Sequence, residues 1–139
     1  VVFEAVNPVK FTPLKDWIAR GDKRHYIVKR LKNADSVLSG EALDKIENAA
    51  LQFQGKPYDL TFEWSDERIY CSELVWKIYY RALGIEIGEL QKLREFDLTS
   101  PKVKQKLSER YGKSIPLDET VVSPQAIYES SKLQTVEES

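Results

Sequence analysis

One stretch, Tyr70-Cys71-Ser72-Glu73-Leu74-Val75-Trp76, limits what this chain can become, because it joins a polar loop to the most regular apolar pattern in the sequence. Leu74, Val75, Ile78, Tyr79, Ala82 and Leu83 recur at steps of three and four, which is one buried face of a helix. Gly84 supplies a natural C-terminal stop. Upstream, Gly55-Lys56-Pro57-Tyr58-Asp59 must turn, and Trp64-Ser65-Asp66-Glu67-Arg68 is polar. Cys71, the only cysteine in 139 residues, therefore falls in or beside the first turn of a helix. Unpaired backbone N–H groups and the positive end of the helix dipole favour an anion there. A thiol in such a position ionises more readily, and the thiolate is the nucleophilic form. The alternative is a small buried hydrophobe, which free cysteines commonly are.

The rest of the chain narrows the chemistry. A hydrophobic share of 42%, with three Trp, seven Tyr and five Phe, is enough for one domain with a core. The formal net charge is -1, and Lys23-Arg24 and Lys29-Arg30 are too short for a nucleic-acid footprint, so no nucleic-acid partner is expected. One cysteine excludes an internal disulfide and a cysteine-rich zinc site. No Gly-rich phosphate loop, zinc-ligand cluster or G-x-S-x-G elbow is present, so neither a cofactor nor a metal is expected. No apolar run reaches the length of a membrane span. The first residues, Val1-Val2-Phe3, read as mid-strand without an initiating Met, as in a mature form or a fragment.

In order, Val1 to Val6 is strand-like, with Glu4 embedded among apolar residues. That carboxylate stands either at an edge facing solvent or toward a polar site that it helps orient. Thr12-Pro13 should cap a short helix with Leu14, Trp17 and Ile18 inward and Gly21 at its end. His25 to Leu31 reads as a strand. His25, the only histidine, is either a general base for Cys71 or an exposed loop residue, and its place after the charged turn Asp22-Lys23-Arg24 favours the latter. Asn33 to Gly40 is a polar connection. Glu41 to Gln54 is a helix with Leu43, Ile46, Ala49, Ala50 and Phe53 inward. Ile85 and Ile87 suggest a strand or extended crossing, and Glu89 to Phe96 a helical turn or two. Ser100-Pro101 and Ser123-Pro124 each start a helix, the first ending at Tyr111-Gly112. The polar tail after Ser130 should fray. The aromatic residues Tyr58, Trp64, Tyr70 and Trp76 are read first as core and second as a groove. Strands before and between helices, without βαβ alternation, argue for α+β.

The combination of motifs is specific. Phe3-Glu4-Ala5-Val6, Pro8 to Leu14, Trp17 to Gly21, Gly55 to Asp59, Trp64-Ser65-Asp66, Ile69 to Glu73, Val75-Trp76-Lys77, Lys92 to Leu98 and Val121 to Ala126 together resemble the YiiX-like proteins. These form a permuted, papain-like branch of the NlpC-type cysteine peptidases. The resemblance implies a permuted papain-like domain, an antiparallel sheet packed against helices, with the nucleophile at a helix N-terminus. It implies Cys71 as nucleophile and Glu4 as the polar residue that orients the base. It also implies a periplasmic or cell-envelope location. The histidine of that family sits on a strand that would precede Val1, and His25 does not match it. A chain beginning at Val1 is then expected to lack the base and a central strand, and to be inactive and poorly folded. The expected activity is hydrolysis of an amide bond through a Cys71 thioester, on a cell-wall peptide or a lipid amide. Lipid acyltransfer or thioester hydrolysis, and a non-catalytic binding domain of the same fold, are the alternatives. A redox thiol is the weakest reading, because no resolving cysteine is present.

Overall fold

The computed structural model describes residues 1–139 as six helices and six strands. In chain order these are β1 (Val2–Glu4), β2 (Lys10–Thr12), α1 (Leu14–Arg20), β3 (Ile27–Leu31), α2 (Ala34–Val37), α3 (Gly40–Leu51) and α4 (Cys71–Leu83). Then follow β4 (Gln91–Lys92), α5 (Pro101–Tyr111), β5 (Thr120–Val121), α6 (Pro124–Tyr128) and β6 (Leu133–Glu138). The strands form three antiparallel pairs, β1 with β2, β3 with β6 and β4 with β5. The architecture is the expected α+β.

Helix α4 is the centre of the molecule. Leu74 and Ile78 join Ala5, Val9, Ala50, Phe53 and Ile69 in one core. Trp76, with Tyr70 just ahead of the helix, joins Val121 and Val122 in a second core. Tyr58 and Trp64 pack against these cores, so the aromatic residues are core in the first instance. The apolar spacing predicts one buried face, but Ser72, Glu73 and Lys77 are buried as well. Buried polar groups need partners, and each of these has one. Gly84 takes the left-handed conformation that ends the helix, at φ 68.

Several expectations are corrected. The tail after Ser130 does not fray: Leu133 pairs with Leu31 and Glu138 with Ile27, so Leu133, Thr135 and Val136 among the polar residues suffice for an edge strand. Thr12 does not cap α1, because its hydroxyl donates to Glu4 instead. Leu14 and Leu43 are exposed rather than inward. Ala42, not Leu43, faces the core, a rotation of one residue that the spacing alone does not resolve. Asn33 to Gly40 contains the short helix α2. Ile85 and Ile87 form no strand, and Leu93 to Glu95 is a single 3-10 turn after β4. The caps at Ser100 and Ser123 form as expected, their hydroxyls accepting from Val103 and Ala126. Ser100→Ala should lower stability by about 1 kcal/mol, read from the midpoint of chemical denaturation.

Candidate active site

Cys71 is the first residue of α4 and is exposed. Its neighbours explain why it is held there. The Glu73 carboxylate accepts the Tyr70 N–H at 3.2 Å, which caps the helix start. Tyr70 precedes Cys71, and its hydroxyl accepts the Val122 N–H at 3.3 Å. Ser72 follows Cys71, and its hydroxyl donates to the Val122 carbonyl at 2.7 Å. Tyr58 lies beside Cys71; burial first, and then the cysteine, push its phenol upward, so it stays protonated and able to donate.

The sulfur opens on a cavity of about 550 Å3 between α4, β3 and α6. Eleven of its fifteen lining residues are hydrophobic, and none is acidic. Lys29 and Arg30 are the only charged ones. All five residues of β3 line it, although alternate side chains point to opposite faces, so the cavity runs along the edge of the strand.

Glu4 stands on β1, opposite Lys10 and diagonal to Thr12. Its Oε2 accepts from Thr12 Oγ1 at 2.6 Å and from Arg20 at 3.1 Å. Its Oε1 pairs with the same guanidinium. The Arg20 hydrogen bond holds the carboxyl below the usual carboxylate range, against the opposing effect of burial. Glu4 is therefore ionised at neutral pH, and its pairing is lost only as pH falls below 4.5. None of its hydrogen bonds reaches Cys71. His25 is elsewhere: Ser139 Oγ is 3.3 Å from Nδ1 and Glu138 is 4.0 Å from Nε2, both on the C-terminal strand.

Sequence reasoning misses a buried charge cluster. Glu73 has no exposed surface and Lys77 has 3%, and their side chains meet at 2.8 Å. Lys77 also reaches Asp66 at 3.0 Å and the Ser65 carbonyl at 2.8 Å, and lies 4.6 Å from the centre of the Trp64 ring. Arg81 completes the group with a 2.8 Å bond to Asp66. Burial pushes Glu73 up to about 7 despite the pull of Lys77. The i,i+4 spacing of Glu73 and Lys77 is visible in the sequence, but such pairs usually lie on solvated faces.

The profile of the permuted papain-like amidase enzymes, YaeF/YiiX, matches residues 1–137. The chain is 58% identical over 135 residues to the uncharacterized protein YiiX of Escherichia coli, covering 97% of this chain and 65% of that relative. It is also similar to a crystal structure of YiiX from Escherichia coli, described as a metalloprotein. That match has a TM-score of 0.93 and 56% identity, over 99% of this chain and 74% of the other. The chain thus spans about two thirds of the relative's length.

Proposed function

The chain belongs to the permuted papain-like amidase family, and on that premise we propose that it is a cysteine hydrolase domain of amidase or peptidase type. The observation that carries this reading is the exposed Cys71 at the start of α4, opening on an apolar cavity. The thiolate attacks the carbonyl carbon of the substrate, and the first N–H groups of the helix receive the oxyanion. Collapse breaks the bond to nitrogen, and the amine leaves with the proton that the base carries. Water then hydrolyses the thioester, returning the thiol. Tyr58, beside the sulfur and protonated, is a second donor to the oxyanion. Glu4 orients the base; Arg20 keeps it anionic, and Oε1 retains a lone pair for a donor. On this reading the base is a histidine outside residues 1–139, as the family resemblance implies.

The solved relative is described as a metalloprotein. In this chain no three His, Cys, Asp or Glu side chains converge on a common point. Residues 1–139 do not by themselves fit a metal site.

The cavity lining favours an apolar acyl portion over a charged cell-wall peptide, so a lipid amide or ester is the preferred substrate class. A lipid acyltransferase or thioesterase would use the same first step, and a periplasmic or cell-envelope setting suits either. With p-nitrophenyl esters, octanoate should then outpace acetate by at least about tenfold, since each buried methylene contributes roughly 0.8 kcal/mol. Faster turnover of acetate would favour the peptide substrate. A second reading, a binding domain that keeps the fold without catalysis, draws on His25 meeting Ser139 and Glu138 rather than Cys71. Iodoacetamide separates the two readings. The hydrolase reading expects one thiol to be alkylated in the native protein faster than free cysteine, and none in Cys71→Ala. Alkylation no faster than free cysteine supports the binding domain.

A further inference from the structure

The two residues flanking Cys71 are both bonded to the backbone of one residue, Val122. Tyr70 Oη accepts the Val122 N–H and Ser72 Oγ donates to the Val122 carbonyl, at 3.3 and 2.7 Å. All three residues are at most 4% exposed, so water does not compete for these bonds. Cys71 itself, between them, is exposed. Val122 continues directly into Ser123 and α6, and Pro124, Ile127 and Tyr128 of that segment form a wall of the cavity. Gly88 locks the same segment from behind: a Cβ there would lie 3.1 Å from Ile127 and 3.3 Å from the Val122 side chain.

Resting on the cysteine-hydrolase reading, we propose that Tyr70 and Ser72 are positioning residues that clamp the nucleophile to the backbone N–H and carbonyl of Val122. The clamp fixes the sulfur and the first helical N–H groups relative to the cavity wall that receives the acyl group. It acts on orientation and not on access to the thiol. Its loss therefore slows a reaction that needs an aligned carbonyl and spares one that needs only a reachable sulfur.

The test compares two probes on the full-length protein. Acylation by p-nitrophenyl octanoate, read as the burst of p-nitrophenolate, should fall roughly 10- to 100-fold in Ser72→Ala and Tyr70→Phe. Alkylation by iodoacetamide should stay within about twofold of the wild type in both, because Cys71 remains exposed. Ser72→Thr, which keeps the hydroxyl, should recover most of the burst rate. Phe53→Leu, in the core around Ala5 and Leu74, serves as a stability control and should leave both rates unchanged. A wild-type burst retained in Ser72→Ala and Tyr70→Phe overturns the clamp alone. So does a fall in Phe53→Leu as large as theirs, which would make the effect one of stability. A wild type with no burst overturns the hydrolase reading beneath it.

Discussion

Cys71→Ala is expected to lower hydrolytic turnover by roughly 10^4-fold or more while leaving the fold intact. The two halves of that expectation have separate causes. Turnover collapses because alanine offers no atom to form the thioester, and the oxyanion donors alone supply only a residual acceleration. The fold survives because Cys71 is exposed at the first position of α4, so removing its sulfur opens no cavity in either core. The anchors of the helix start, Tyr70, Ser72 and Glu73, are untouched. Steady-state rates with p-nitrophenyl octanoate, together with an unchanged denaturation midpoint, check both halves. A variant that keeps more than about a tenth of the wild-type rate would remove Cys71 from the chemistry.

Lys77→Met carries the largest expected effect on stability. Lys77 is nearly fully buried and is the direct partner of Glu73, which has no exposed surface. Removing the ammonium leaves a buried carboxylate without a counter-charge, a loss of about 3–5 kcal/mol when that carboxylate is ionised. The loss depends on pH in a definite direction. The folded-state value of Glu73, about 7, lies above its ordinary 4.5. This group's contribution to stability is therefore fully present below pH 4.5 and is lost as pH rises through 7. Without Lys77 the carboxyl is harder still to ionise, so the variant should be hurt most at pH 8 and least at pH 5. Urea unfolding at the two pH values measures this. Adding Glu73→Gln to Lys77→Met should restore much of the loss at pH 8, because the buried charge is then gone. An equal loss at both pH values, unrelieved by the second substitution, would show that Glu73 does not feel Lys77.

The legible parts of the molecule were those written in local rules. The apolar spacing after Cys71 gave α4 nearly to the residue, with Gly84 at its end, and the Ser-Pro pairs marked α5 and α6. The motifs scattered from Phe3 to Ala126 carried the family, which the match over residues 1–137 shows. What stayed hidden depends on contacts between distant residues. The strand β6 exists because β3 offers it an edge, and nothing in the polar tail announces that partner. Thr12 looks like a cap until Glu4 is seen opposite on β1. The burial of Glu73 and Lys77 follows from two cores closing on two sides of one helix, whereas a single periodicity describes only one side. The cavity beside Cys71 likewise assembles from β3, α4 and α6, separated by about forty to fifty residues each.

The most direct test is the intact mass of the full-length protein quenched within the burst with p-nitrophenyl octanoate, followed by peptide mapping. A single octanoyl adduct on the peptide containing Cys71, released by neutral hydroxylamine and missing from Cys71→Ala, is the predicted result. No adduct on that peptide, or an adduct that persists in Cys71→Ala, would contradict it.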